Sequence, residues 1–149
     1  MSCIAYKGEL AERWAKGAHG GTFGGNALAC AAAAATIRTI REEALADNAA
    51  ARGEQLIAGL RRLQGEFGQI GDVRGRGLMV ATEFSKGGEP QEDAAKAVTQ
   101  AAASEGLLLL SAGTYNNVVR WIPPLIVTER QIEDGLGLFR KALSRVYGA

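Results

Sequence analysis

The sequence is poor in the residues that build metal and disulfide sites: one histidine, two cysteines and three prolines among 149 residues. Cys3 and Cys30 are too few and too far apart for a disulfide framework or a clustered metal site, and His19 has no second imidazole to join it. The cysteine usage fits a reducing cytoplasm. There is no excess charge of either sign either, since 17 Lys plus Arg stand against 16 Asp plus Glu and the net charge is +1. The basic residues are scattered, not massed into a stripe or tail, so nucleic acid and anionic membranes are poor candidate partners. The longest apolar run, residues 27 to 37, is mostly alanine and far short of a membrane span. Glu9 and Glu12 fall where a signal peptide would be apolar. What is present, 47% hydrophobic and 22% charged residues, is the profile of one ordinary globular domain able to bury a core.

Residues 3 to 6 are apolar, a helical turn is expected around 9 to 14, and five glycines follow between 17 and 25. This stretch, 1 to 26, reads as a connecting segment with a glycine-rich loop. Asn26 can cap a helix from 27 to about 44, where alanine propensity is high and Leu28, Ile37 and Ile40 add apolar bulk. A second helix is expected from about Asp47, with Leu56, Leu60, Leu63 and Phe67 on one buried face and Gly68 closing it. Residues 70 to 84 alternate as two short strands, with a bend or bulge at Gly75 and Gly77, and 85 to 90 form a turn. A helix over 91 to 105 should end at Gly106, followed by a buried strand at 107 to 110 and another at 118 to 122. Pro123 and Pro124 end that strand. Thr128 and Gln131 form a capping-box pattern for a last helix with Ile132, Leu136, Phe139, Leu143 and Val146 on one face. The expected fold is an α/β two-layer sandwich of the α+β kind, a small and mainly antiparallel sheet with helices packed on it over residues 27 to 149. The long N-terminal helices are expected to lean on something outside the chain.

Two constellations could carry chemistry. In HGGTFGGN at 19 to 26, glycines allow close approach of the backbone to a ligand and a threonine hydroxyl adds a donor at a helix entrance, so the loop could hold a phosphate. The bland reading is a tight loop before an alanine-rich helix. The segment matches neither a P-loop nor a dinucleotide fingerprint. The second is Arg120 in VVRWI at 118 to 122, which shares a strand face with Val118 and Ile122 and needs a partner for its guanidinium. An external carboxylate, the internal Glu83 and plain solvent exposure all satisfy it. Arg74 and Arg76, between glycines, compete as anion ligands. Lys7 has nothing beside it to lower its pKa and reads as a solvated surface lysine.

HGGTFGGN at 19 to 26 and GLLLLSAGTYNNVVRWIPPL at 106 to 125 together resemble the class III aminotransferases that use pyridoxal 5'-phosphate (PLP). The second segment is especially similar to the 4-aminobutyrate aminotransferase branch. The resemblance runs over essentially the whole chain and identifies it with the C-terminal small domain of such an enzyme. It implies that Gly21 and Thr22 contact the phosphate of a PLP held mainly by the neighbouring subunit of a homodimer, and that Arg120 binds the substrate carboxylate. Ala27 stands where the family usually has proline, a minor departure at a first helical position. The family's Schiff-base lysine, the acid that pairs with the pyridine nitrogen and the stacking aromatic fall before residue 1, in a large domain that is the expected partner of this one. No catalytic residue or metal ligand is therefore assigned here, and the chain alone is expected to be inactive. The complete enzyme is expected to move an amino group from 4-aminobutyrate or a similar omega-amino acid to 2-oxoglutarate, so an amino acid and a 2-oxo acid are its small-molecule partners. A free-standing binding or interaction module reusing the small-domain fold is the alternative, and Thr22 and Arg120 do not separate the two.

Overall fold

A computed structural model describes residues 6 to 148 apart from 16 and 19; the expectations for Cys3 and His19 lie outside the described residues. The chain divides into two compact units, Met1–Glu43 and Ala44–Ala149. In the first, α1 (Gly8–Glu12) precedes the glycine loop and α2 (Ala27–Glu42) follows it. Asn26 caps α2 as its residue type predicts, its side chain accepting from the Ala29 amide at 3.2 Å. Neither helix has a buried residue, and Phe23, Leu28 and Ile37 stand in the open at 81%, 81% and 53% exposure.

The second unit holds α3 (Leu45–Glu66), β1 (Ile70–Arg76), β2 (Met79–Lys86), β3 (Glu89–Pro90), α4 (Ala94–Ser104), β4 (Leu110–Ala112), β5 (Val118–Trp121) and α5 (Glu129–Tyr147). The main sheet has the order β1-β2-β5-β4, all antiparallel, with β3 pairing the end of β2. Helices packed on one side of this small sheet make the two-layer fold that the hydrophobic pattern implies. The four-three spacings in α3 and α5 arise because one helical face must meet the sheet. Leu56, Leu60, Leu63 and Phe67 are all buried, as are Ile132, Leu136, Phe139 and Leu143, and they join Val73, Val80, Phe84, Val119 and Trp121 in one core. The capping box at Thr128 forms in full: the Gln131 amide donates to the Thr128 hydroxyl at 3.3 Å, and the Thr128 amide donates to the Gln131 side chain at 2.9 Å.

Several local expectations are corrected. α3 begins at Leu45, because Ala44 is left-handed (φ 49°) and breaks the chain between α2 and α3, and it ends on an extended Phe67 without a left-handed Gly68. The bulge lies between Ile70 and Asp72, not at Gly75, while Gly77 (φ 53°) makes the hairpin turn between β1 and β2. The turn expected at 85 to 90 is confined to Gly87 and Gly88, and its shoulders pair as strand. The leucines at 107 to 110 do not form a buried strand. Only Leu110 enters β4, an edge strand, and Leu108 and Leu110 are 86% and 47% exposed, because no layer of this unit covers that side.

Gly53 marks where α3 crosses the hairpin. A Cβ there would sit 2.2 Å from the Gly77 carbonyl oxygen, a backbone atom that cannot rotate away. Alanine would gain about 1 kcal/mol of helix propensity over glycine. The overlap outweighs it, since forcing packed elements apart costs typically about 1 to 3 kcal/mol or more. Gly53→Ala should lower the denaturant midpoint of unfolding; an unchanged or raised midpoint would show that helix and hairpin are not in register at this point.

Candidate functional site: an exposed arginine between two clefts

Arg120 is held by what its neighbours do. Val119 and Trp121 point into the core at 0% and 5% exposure, and the Trp121 indole donates to the Thr82 hydroxyl at 3.1 Å in a fully buried bond. Trp121 also meets Phe139 of α5 edge to face at 4.9 Å. Strand alternation then throws Arg120 onto the opposite, helix-free face, beside Ala81 of β2 and Leu110 of β4. The strand is anchored and the guanidinium is exposed.

Of the three partners that sequence leaves open, the geometry removes one. Glu83 is engaged by Arg74, which donates to it and to Asp72 at 2.6 Å each. Glu83 also lies near the Asn117 amide at 3.5 Å. The two acceptors, Asp72 first and Glu83 second, raise the pKa of Arg74 above its ordinary value. Arg74 is thus internally satisfied. Arg120 has no acceptor among the described residues.

Two clefts meet at Arg120. One, of about 320 Å³, is lined by Leu108, Leu110, Ile122 and the two prolines, and on the helical side by Leu56 of α3 and Ile132 of α5. Its far wall is held because Asn48 of α3 donates to the Leu125 and Val127 carbonyls at 2.7 and 3.1 Å, tying the segment after the prolines to the helical layer. An apolar cleft with one guanidinium suits a short aliphatic chain that ends in a carboxylate. The apolar wall was not read as a site from sequence, although the proline pair beside Arg120 signals a stiff, extended border. The other cleft, of about 360 Å³, is lined by Arg74, Arg76, Met79 and Arg120.

Gly21 and Thr22 belong to the first unit. The Gly24 amide donates to the Gly21 carbonyl at 3.1 Å, so the loop is a tight turn that delivers the chain to α2. The Gly21 and Thr22 amides and the Thr22 hydroxyl have no acceptor among the described residues. A Cβ on Gly20 or Gly21 would meet nothing within 4 Å, and neither has a positive φ. The fold itself therefore does not require glycine at these two positions, whereas close approach by an outside group would. Free donors on a turn at a helix entrance fit one contact to a phosphate such as that of PLP. Lys7 is exposed ahead of α1, as a solvated lysine should be. Among the described residues no cluster of three potential metal ligands occurs, and no helix is long and apolar enough to cross a membrane.

The sequence is 41% identical to the 5-aminovalerate aminotransferase DavT of Pseudomonas aeruginosa, covering 98% of this chain and 35% of that protein. It is 42% identical to the 4-aminobutyrate aminotransferase of Mycobacterium leprae, covering 87% of this chain and 28% of that one. Among solved structures, an ornithine aminotransferase from Toxoplasma gondii with PLP at partial occupancy in its active site superposes with a TM-score of 0.77 at 35% identity, over 93% of this chain and 31% of its own. The chain thus spans about a third of the length of the relatives it matches. PLP is the cofactor of this family. The profile of the class-III aminotransferases matches residues 1–143, and the chain belongs to that family.

Proposed function

We propose that this chain is the C-terminal part of a PLP-dependent aminotransferase that moves an amino group from 4-aminobutyrate or a similar omega-amino acid to 2-oxoglutarate. The observation that carries the reading is Arg120: an anchored, exposed guanidinium whose internal candidate partner is taken by Arg74, at the end of an apolar cleft. The planar fork binds a carboxylate through two parallel hydrogen bonds and so fixes its direction as well as its position. The aliphatic part of the donor lies against Leu108, Leu110 and Ile122, which keeps water from that side of it. Thr22, with the Gly21 amide, gives one contact to the cofactor phosphate, across the subunit boundary of a homodimer. PLP supplies the electrophilic carbonyl and electron sink through which the amino group is exchanged. The lysine, pyridine-pairing acid and stacking aromatic belong to the large domain with which residues 27 to 149 act as the small domain.

The experiment is a coupled assay of the complete enzyme containing this chain, offering 4-aminobutyrate or 5-aminovalerate with 2-oxoglutarate and following glutamate. Glutamate formation with at least one of these donors is expected; none with either would remove the reading. The 149-residue chain by itself should form no specific bond with PLP. After incubation and borohydride reduction, mass spectrometry should find only scattered low-level labelling. A stoichiometric pyridoxyl adduct at a single lysine would contradict the assignment of the catalytic lysine to the large domain.

A further inference from the structure

The wall of the apolar cleft that carries Pro123 and Pro124 is not held in place by its own side chains. Trp121 and Val127 are buried at 5% and 7% exposure, but no residue between them is, and Leu125 and Ile126 stand 40% and 64% exposed. The two prolines have no amide proton to give to a neighbouring strand. A segment without buried side chains takes its position from its hydrogen bonds. One is local, from the Val127 amide to the Pro124 carbonyl at 2.9 Å. Two more come from a single side chain far back in the sequence: Asn48 Nδ2 donates to the Leu125 and Val127 carbonyls at 2.7 and 3.1 Å, which uses both of its protons. Asn48 does not line the cleft. It stands in the first turn of α3, a helix seated on the core by Leu56, Leu60 and Leu63, so the proline wall is tied to a rigid support at this one residue.

We infer that Asn48 is a positioning residue for donor specificity: by pinning residues 125 to 127 to α3 it holds the proline wall closed along the aliphatic chain, so that donors are distinguished by length. The inference rests on the proposed seat of the donor, with its carboxylate on Arg120 and its chain in the apolar cleft. The carboxylate makes the same contact whatever the length of the chain. Each methylene adds affinity only where a wall excludes water from it. A fully covered methylene adds up to about fourfold, and one covered on a single side about twofold.

The test is calorimetric titration of the complete, PLP-loaded enzyme with acetate, propionate, butyrate and valerate, which carry no amine to react, at fixed ionic strength because charge contacts are screened by salt. In the parent, affinity should rise about fourfold with each methylene. In Asn48→Ala the rise should fall to about twofold or less, with acetate affinity unchanged. Alanine favours the helix more than asparagine does, which offsets part of the lost bonding and keeps the variant folded. Asn48→Asp, of the same shape but with no proton to donate, should flatten the series in the same way, and Asn48→Gln, with the amide on a longer arm, should restore part of the rise. A rise as steep in Asn48→Ala and Asn48→Asp as in the parent, or all four acids weakened by one common factor, overturns the inference while leaving the seat of the donor in place. A parent whose affinity does not grow with chain length would instead remove the cleft as that seat, and acetate binding untouched by Arg120→Gln would remove the carboxylate role of Arg120.

Discussion

Arg120→Lys in the complete enzyme should raise the Michaelis constant for 2-oxoglutarate by roughly tenfold to a hundredfold, the equivalent of about 1.5 to 3 kcal/mol for a lost charge-assisted hydrogen bond. A lysine keeps the charge but offers a single point of contact, and it cannot reproduce the two-pronged grip of a guanidinium fixed between Val119 and Trp121. Retention of PLP should barely change. Thr22→Ala should behave in the opposite way: it removes one neutral donor from a phosphate, so PLP dissociates more readily, by about two- to tenfold, while the Michaelis constant at saturating cofactor stays near the parent value. Assays of both half-reactions with each variant separate the two. An unaffected 2-oxoglutarate half-reaction in Arg120→Lys would mean that the arginine is not the carboxylate ligand.

Phe139→Ala should cost about 3 to 5 kcal/mol of stability, a large part of the roughly 5 to 15 kcal/mol that holds a typical domain together. Phe139 is 0% exposed and meets Trp121 edge to face. Its removal leaves a cavity behind the strand that seats Arg120, so the loss reaches the site as well as the core. A fall in midpoint temperature of many degrees is expected, together with weaker carboxylate binding in the surviving folded fraction. Phe139→Leu, which keeps most of the volume, should recover most of the stability. If Phe139→Ala were nearly neutral, α5 would not be packed against β5 as described.

The parts of the fold that could be read from sequence are those decided by local periodicity. The faces of α3 and α5, the Thr128 capping box and the strand at Val118–Trp121 each need only residue spacing and one side-chain bond. The misreadings have a common cause. Leu107 to Leu110 read alike as one apolar run, yet Leu107 and Leu109 pack against the core while Leu108 and Leu110 stand exposed at the sheet edge, and sequence cannot say which apolar residues find a partner. The left-handed Ala44, which sets the start of α3, goes against residue preference and is imposed by the surrounding structure, whereas the left-handed Asp93 before α4 is a residue type that tolerates this conformation. Arg120 was legible as a residue in need of a partner. Its distinction from Arg74 was not, because the pairing of Arg74 with Glu83 depends on strand register, which brings Asp72 opposite Glu83 and Arg74 opposite Ala81. The apolar cleft likewise exists only once β4, β5 and the proline segment meet α3 and α5.

As proposed, this chain contributes a carboxylate clamp and one phosphate contact to a PLP enzyme. A crystal structure of the complete enzyme with PLP and glutarate tests it most directly. The expected result is the Arg120 guanidinium in two hydrogen bonds to one glutarate carboxylate, with the Thr22 hydroxyl donating to the PLP phosphate. Glutarate held by other residues, with Arg120 turned to solvent or paired with a protein acid, would contradict it.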